Sequence, residues 1–365
     1  MRVSKLIGTF AVVSLALVGC GGESTPEETD PTTSSDPGSS PSESSSASEE
    51  EPAAADFMVG MAYDLGGRND QSFNQAAATG MDQAAGELGF ETEEAEAQPG
   101  EAESQREERL RTLADAGFNP IIAVGFAYGA SVAKVAPEYP EVRFAIVDSD
   151  AASTPGENIT NLIFAEEQGS FLVGAAAALK SEADHIGFVG GVQVPLIQKF
   201  EAGYIAGAEA VNPDITVDVT YLTQPPDFSG FGDPAKGKTA AEGMYQGGAD
   251  IVYQAAGGSG SGVFEAAVAA EGLAIGVDSD QYNLVSPELQ PVIMTSMLKK
   301  VDVAVYEFLT AFADDSVESG DVVFDLEADG VGYATSGGAV DDIVDQLDEF
   351  KAQIIAGDIT VPTTP

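Results

Sequence analysis

Residues 59–74 read VGMAYDLGGRNDQSFN, and this stretch decides the fold class. It overlaps a short apolar run, Phe57–Tyr63, which has the pattern of a buried strand. The next segment, residues 66–70 (GGRND), is rich in residues that tolerate unusual backbone dihedrals and predicts a turn. A helix is expected to begin near Ser72. A strand, a turn and a helix in this order are typical of an α/β protein.

Three side chains of this stretch are expected to face one crevice. Asp64 ends the strand, and Phe73 and Asn74 lie in the first turn of the helix. Ligands of open α/β sheets bind beyond the carboxyl ends of the strands. A carboxylate, a flat apolar ring and an amide suit a ligand that carries hydroxyls and a planar base. The alternative is purely structural, with a helix cap at this turn and Phe73 packed in the core.

The charge of the chain is strongly negative. Its 365 residues include 15 Lys and Arg against 60 Asp and Glu, which gives a formal net charge of −45. Such a surface repels phosphate backbones, so nucleic acid is excluded as an expected partner. The length allows two domains and an extension, and the 44% of hydrophobic residues is enough to build a core.

Cysteine and histidine each occur once, as Cys20 and His185. A disulfide within the chain is therefore impossible, and no metal site with His and Cys spacing can be built. A Ser-His-Asp triad would need His185, which opens the apolar segment 185–191 and is interpreted as a residue at a strand edge. We expect neither a metal nor a cofactor.

The first residues have the features of an export signal. Residues 1–19 combine early basic residues with an apolar run too short to span a membrane, which is typical of a signal peptide. The sequence LVGC at 17–20 resembles the lipobox of bacterial lipoproteins, and this resemblance implies cleavage before Cys20 and lipid attachment to its sulfur. The rest of segment 20–56 is rich in Ser, Thr, Pro and Glu and predicts a disordered tether.

Strand and helix patterns alternate from Phe57 to Ile355, which predicts parallel sheets covered by helices on both faces. The number of strand signals, about ten, exceeds what one such sheet usually needs and indicates two similar lobes. We assign residues 57–165 and about 283–325 to the N-terminal lobe. Residues 166–282 and about 326–358 form the C-terminal lobe, and several chain crossings would form a hinge.

Several motifs, taken together and in order, resemble the basic membrane protein family of bacterial lipoproteins, which includes a purine nucleoside receptor. The motifs cover nearly all of the segment after the tether. They are DLGGRNDQSFNQAAATGM from Asp64, FAIVDSD from Phe144, QGSFLVGAAAA from Gln168, FVGGVQVPLIQKFEAGYIAG from Phe188, GFGDPAKGKTAA from Gly230, AAGGSGSG from Ala255, IGVDSDQ from Ile275, TSMLKKVDVAV from Thr295 and IIAGDITVP from Ile354.

The resemblance implies a type I periplasmic-binding-protein fold, in which two doubly wound parallel-sheet lobes close over a nucleoside. It also implies roles for individual residues. Phe73 and Phe200 would hold the purine between them, and Asp278 and Lys299, or the adjacent Lys300, would bind the ribose hydroxyls. The remaining implied ligand-binding residues, which line the base or sugar or let the backbone approach the ligand, are Asp64, Asn74, Asp148, Gly257 and Gly258.

The expected function is that of an extracytoplasmic lipoprotein, anchored to the membrane through Cys20, that captures a nucleoside for uptake through ABC permease subunits. A purine nucleoside is the favoured ligand. The alternatives are a receptor for a sugar or another small polar ligand, a lipoprotein that senses its ligand without transport, and an enzyme such as a nucleoside hydrolase or dehydrogenase. We expect no enzyme activity.

Two segments imitate nucleotide-binding motifs. The segment 258–262 (GSGSG) follows a strand, but Val263 stands where a dinucleotide fingerprint needs glycine. The segment 232–239 (GDPAKGKT) ends like a P-loop, but Asp233 replaces the required glycine.

Replacement of Cys20 tests the anchor. We expect Cys20→Ala to release the protein from the membrane fraction, because the thiol that carries the lipid is lost. Cell fractionation measures the release, and mass spectrometry of Cys20 in the natural protein should find the lipid. A protein that stays in the membrane fraction without its cysteine contradicts the prediction.

Overall fold

Strands and helices alternate through residues 55–365, the part of the chain that the computed structural model describes. Cys20, the predicted signal peptide and most of the predicted tether lie outside the described residues. The strands are β1 (Met58–Tyr63), β2 (Glu91–Glu96), β3 (Ile121–Val124), β4 (Phe144–Val147), β5 (Ile159–Phe164), β6 (His185–Val192), β7 (Thr216–Thr223), β8 (Ile251–Ala255), β9 (Leu273–Asp278), β10 (Ile293–Lys299), β11 (Gly320–Phe324) and β12 (Val331–Tyr333).

The helices connect these strands and cover the sheets. They are α1 (Phe73–Leu88), α2 (Glu103–Asp115), α3 (Gly129–Val135), α4 (Glu166–Lys180), α5 (Pro195–Val211), α6 (Pro234–Gly247), α7 (Gly260–Ala270), α8 (Val301–Ala313) and α9 (Val344–Ile355). Between residues 55 and 365, none of the helices combines the length and the apolar character that crossing a membrane requires.

The strands form two sheets of the same design. The first has the order β11-β5-β4-β3-β1-β2 and the second the order β12-β10-β9-β8-β6-β7. All pairs in the first sheet are parallel, and in the second only the β10–β12 pair is antiparallel. The α/β fold class with two doubly wound lobes is therefore confirmed.

The chain passes between the sheets three times. It leaves the first sheet after β5, returns to it after β10, and leaves it again after β11 for β12. Helix α8 packs with α1 on the first sheet, where Tyr306 Oη donates to Glu87 Oε2 at 2.6 Å and Phe312 contacts Phe57 with ring centroids 5.1 Å apart. Hydrogen bonds link these crossings, from the Ala165 N–H to the Phe324 carbonyl at 3.1 Å and from the Lys300 N–H to the Gly330 carbonyl at 2.9 Å. That they act as a hinge stays a prediction.

One part of the predicted lobe assignment is wrong. Residues 283–325 were assigned to the N-terminal lobe, but β10 pairs with β9 and β12 in the second sheet. The second crossing therefore lies at Lys299–Val301, in the middle of the assigned segment rather than at its beginning. An apolar run predicts a strand, but it carries no information about which sheet the strand joins.

Strand β2 was missed, and its composition explains why. Its sequence is ETEEAE, which has almost no apolar residue, and most of its side chains are exposed. It lies at the edge of the first sheet and is held by parallel pairing to β1. Charged side chains on an edge strand discourage pairing with another chain. Helix α1, in contrast, has the predicted bounds Phe73–Leu88.

The small residues of α4 and α5 let these two helices pack with their backbones in contact. A Cβ added at Gly174 would overlap the carbonyl oxygen of Tyr204, and one added at Gly207 would overlap that of Phe171. Helix α4 is buried on more than one side, because its middle residues are almost all buried. The glycines of the motifs beginning at Gln168 and Phe188 thus have a packing function.

A pair of glycine substitutions tests this contact. We expect Gly207→Ala to lower the free energy of unfolding by about 3 kcal/mol, because the added methyl group pushes two helix backbones apart. Gly243 is the control, since it is an exposed glycine in the helix α6 with open space where its Cβ would be. Gly243→Ala should be neutral or stabilise by up to about 1 kcal/mol. Denaturant unfolding measures both, and equal effects would contradict the packing argument.

Candidate functional site

The site lies where the carboxyl ends of the strands of both sheets meet. In each sheet the order reverses beside the first strand, between β1 and β3 and between β6 and β8. Open α/β sheets bind ligands at such reversal points. Asp64 follows β1, Gly125 follows β3, Leu196 lies beyond β6 and Gly257 follows β8, and all four line one cavity.

The cavity is narrow and has walls from both lobes. It encloses about 580 Å³ including its mouth. The lining residues are Asp64, Leu65, Asp70, Phe73, Asn74, Gly125, Phe126 and Asp148 from the first lobe, and Leu196, Ile197, Phe200, Phe231, Ala255, Gly257, Val277, Asp278 and Lys299 from the second.

The structure brings together eight of the nine residues expected to bind a ligand. They are Asp64, Phe73, Asn74, Asp148, Phe200, Gly257, Asp278 and Lys299, whereas Gly258 does not line the cavity. Lys299 is buried beside the cavity, and the adjacent Lys300 instead points outward to Asp329.

The carboxylates of Asp148 and Asp278 are presented by unusual backbone conformations. Asp148 follows β4 with φ of 70°, and Asp278 ends β9 with φ of 64°. Both values lie in the left-handed region, which residues other than glycine rarely adopt. Each conformation turns an acid into the cleft at the end of its strand, and such strain is typical of functional positions.

The loop from Asp64 to Asn74 is fixed by Asp70, which sequence reasoning missed as a site residue. Its Oδ1 accepts from the N–H groups of Ser72 and Gln75 at 2.9 and 3.1 Å, and its Oδ2 accepts from the N–H of Asn74 at 3.0 Å. Asp70 therefore caps α1. The Asn74 amide also braces this loop, since its Oδ1 accepts from the Asp64 N–H at 3.2 Å and its Nδ2 donates to Asp70 Oδ2 at 3.1 Å.

Lys299 stands at the centre of the buried charges. Its ammonium lies 2.6 Å from Asp148 Oδ1 and 3.0 Å from Glu166 Oε1, and all three side chains are at least 95% buried. Burial disfavours the ammonium charge, but the carboxylates of Asp148, Glu166 and Asp278 outweigh this effect and raise the pKa of Lys299 above its usual value.

Three aromatic rings lie near this ammonium. Lys299 Nζ lies 5.0 Å from the ring centroid of Phe164, 5.2 Å from that of Phe73 and 5.6 Å from that of Phe200. Phe164 does not line the cavity. Phe73 comes from the first lobe and Phe200 from the second, and both line the cavity. One charged group therefore lies within cation–π distance of two rings from opposite walls.

Two further acids of the cavity hold their protons unusually tightly. Burial raises the pKa of Asp278 to about 7, although the Lys299 ammonium and the hydrogen bond from Ser72 oppose this change. Burial likewise raises the pKa of Asp64 to about 6, although the hydrogen bond from the Leu65 N–H and the charge of Arg106 oppose it. Both acids titrate near neutral pH.

Polar contacts join the two lobes around the cavity. The hydroxyl of Ser72 donates to Asp278 Oδ2 at 2.5 Å, and Gln281 Nε2 donates to the carbonyl oxygen of Gln71 at 2.9 Å. The ion pair of Lys299 with Asp148 also connects the second sheet to the first. The lobes are therefore in a closed arrangement.

Three phenylalanines form an aromatic partition between the cavity and a larger outer groove. Phe126 of the first lobe contacts Phe228 and Phe231 of the second, with ring centroids 5.9 and 6.3 Å apart. Phe126 lines both spaces, Phe231 lines the cavity and Phe228 lines the groove. Sequence reasoning missed all three rings, although Phe126 follows its strand as Asp64 follows β1.

The arrangement can bind a small flat ligand with several hydrogen-bond donors. Carboxylates supply acceptors, the rings supply stacking surfaces, and the walls from both lobes surround the ligand. Within residues 55–365, no group of three or more His, Cys, Asp or Glu side chains could hold a metal ion. The histidine of the chain, His185, is not among the residues that line the cavity, and its Nε2 lies 2.9 Å from Asp218 Oδ2.

Known proteins are similar to this chain in sequence. A CD4+ T-cell-stimulating antigen of Listeria monocytogenes is 32% identical over 329 residues, which cover 86% of this chain and 90% of that protein. A protein of Lactococcus lactis named ABC transporter nucleoside-binding protein BmpA is 33% identical, with 84% of this chain and 90% of that protein covered.

A solved structure agrees with these relatives. The crystal structure of an ABC transporter system solute-binding protein from Aeropyrum pernix K1 matches with a TM-score of 0.72 and 28% identity, covering 84% of this chain and 93% of that one. Residues 57–365 match the Bmp family, which is described as ABC transporter substrate-binding protein PnrA-like. The chain therefore belongs to the Bmp family of PnrA-like substrate-binding proteins of ABC transporters.

Proposed function

We propose that this substrate-binding protein captures a nucleoside, with a purine nucleoside as the favoured ligand, and delivers it to ABC permease subunits. The observation that carries the proposal is the pair of rings, Phe73 and Phe200, on opposite walls of a narrow cavity that also holds buried carboxylates. The relative from Lactococcus lactis is named as nucleoside-binding, which supports this ligand class.

Each part of a nucleoside has a chemical counterpart in the cavity. The flat base would stack between Phe73 and Phe200, an interaction worth about 1–3 kcal/mol per base. Asp278 would accept hydrogen bonds from the ribose diol, and the Lys299 ammonium would donate to a ribose oxygen. The remaining candidate contacts, to the base or the sugar, are Asp64, Asn74, Asp148 and the backbone at Gly257.

The location of the protein is part of the proposal. A lipid on Cys20 would hold the binding domain outside the cytoplasm and close to the permease. The proposed role is binding and delivery without catalysis.

Calorimetry with adenosine, guanosine, inosine, cytidine and ribose tests the ligand class. We expect at least one purine nucleoside to bind more tightly than cytidine, and every nucleoside more tightly than ribose, because ribose offers no ring to stack. If ribose binds more tightly than every nucleoside, the proposal that the ligand is a nucleoside is refuted. Chromatography of the recovered ligand should find it unchanged, and its conversion to base or to an oxidised product would assign an enzyme instead.

Removal of either ring should weaken purine binding. We expect Phe73→Ala and Phe200→Ala each to cost about 1–3 kcal/mol of binding free energy, because each variant leaves one face of the base unstacked. Phe350→Ala is the control, since Phe350 packs on Phe171 with ring centroids 5.5 Å apart and does not line the cavity. A loss of affinity in the control equal to that in the two variants would refute the stacking role.

Binding should depend on pH through Asp278. The ionised form accepts hydrogen bonds from the ligand, and the pKa of this acid without ligand is about 7. Affinity for a purine ribonucleoside is therefore expected to be full at pH 8 and to fall below pH 7, by up to about tenfold per pH unit. Asp278→Asn cannot ionise and should give a flatter profile in the same calorimetric titrations. If the pH profile of Asp278→Asn is as steep as that of the natural protein, the group whose titration controls binding is not Asp278.

A further inference from the structure

Glu166 is a buried acid that lies behind the cavity instead of lining it. It is the first residue of α4, immediately after the first chain crossing, and it is fully buried. Its two carboxylate oxygens contact two different ammonium groups, Oε1 at 3.0 Å from Lys299 Nζ and Oε2 at 3.1 Å from Lys199 Nζ. Each oxygen of this buried carboxylate is therefore held by a different lysine.

The donors of Lys299 are divided among its neighbours. An ammonium carries three N–H groups. One donates to Asp148 Oδ2 at 2.7 Å, and the ammonium also lies 2.6 Å from Asp148 Oδ1 and 3.0 Å from Glu166 Oε1. The two acids therefore fix where the ammonium stands relative to Phe73 and Phe200, and with it the N–H groups that a ligand can reach.

The two acids differ in which lobe carries them. Asp148 belongs to the first sheet, whereas Glu166, Lys199 and Lys299 belong to elements of the second lobe, because α4 packs against both α5 and β10. Separation of the lobes would move Asp148 relative to Lys299 and leave Glu166 beside it, because Glu166 and Lys299 belong to packed elements of one lobe.

We propose that Glu166 is a positioning residue of the ligand site. Its carboxylate, anchored by Lys199, aims the Lys299 ammonium into the cavity and keeps it there when the lobes open. This inference rests on the proposed function, because it takes Lys299 as a donor to a ribose oxygen. The expected consequence is a loss of affinity confined to ligands whose sugar carries hydroxyl groups.

Glu166→Gln tests the inference, because it keeps the size of the side chain and removes the charge. Calorimetry compares inosine with 2′,3′-dideoxyinosine, with the full chain after the predicted lipidation site. We expect inosine to bind about tenfold more weakly than it binds the natural protein, as for loss of a charge-assisted hydrogen bond, with little change for the dideoxy analogue. Glu166→Asp keeps the charge and should recover part of the inosine affinity.

Two further variants separate positioning from general damage. Lys199 is partly exposed, so Lys199→Met should fold, and it should weaken inosine binding in the same selective way but by a smaller factor. Glu167→Gln is the matched control at the next position of α4, where the carboxylate makes no ion pair within the described residues, and it should leave both affinities unchanged.

The outcomes distinguish this inference from the proposed function. Natural protein that binds no nucleoside of the calorimetry panel contradicts the proposed function. Natural protein that binds inosine and the dideoxy analogue equally contradicts the ribose contact of Lys299 on which this inference rests. Natural protein that prefers inosine, together with a Glu166→Gln protein that keeps the full preference, overturns only the role of Glu166. Equal weakening of both ligands with a lower melting temperature also overturns it, because this is the result of a merely structural ion pair. Should Glu166→Gln fail to fold, the selectivity of Lys199→Met decides.

Discussion

The site depends on one buried ammonium. Lys299 lies on the last parallel strand of the second sheet and is 2% exposed, with Asp148 and Glu166 as its ion-pair partners. A buried charge is tolerated only when it is paired, and removal of one partner leaves an expensive uncompensated charge. Asp148 belongs to the first lobe, so the full set of contacts exists only when the lobes are together. The same ammonium lies beside both rings of the candidate site. The Lys299 ammonium therefore takes part in the buried ion pairs, in the contact between the lobes and in the candidate ligand site.

The acidity of the molecule acts differently at the surface and in the cleft. Acids at the surface, such as those of the edge strand β2, are solvated and keep the fold from pairing with neighbours. In the cleft, burial raises the pKa values of Asp64 and Asp278 toward neutrality, so part of the negative charge is suppressed there. A cavity lined by acids can thus persist in a chain with a formal net charge of −45.

Sequence reasoning predicted the features that depend on neighbouring residues and missed those that depend on contacts between residues far apart in the sequence. Helix α1 and the group at the end of β1 are determined by local pattern, and Asp64 and Phe73 were expected where they lie. Asp278 was expected in the site because the family resemblance implied it. The sheet to which β10 belongs is decided by contacts with β9 and β12, which no local pattern contains.

The same reason explains the residues that were missed. Phe126 and Phe231 meet only because two loops about a hundred residues apart in sequence approach each other across the lobes. Glu166 looks like an ordinary acid in the first turn of a helix, and only the folded chain places two lysines against it.

The three passages of the chain between the sheets have a consequence for synthesis. Neither half of the molecule is encoded by one continuous stretch, since β11 completes the first sheet and β12 the second, and both come after residue 319. A growing polypeptide that has reached the end of α8 still lacks the outer strand β11 of the first sheet and the outer strand β12 of the second. Neither lobe can therefore complete its sheet during synthesis until the residues after 319 have been made. Loss of the final fifty residues would damage both halves at once.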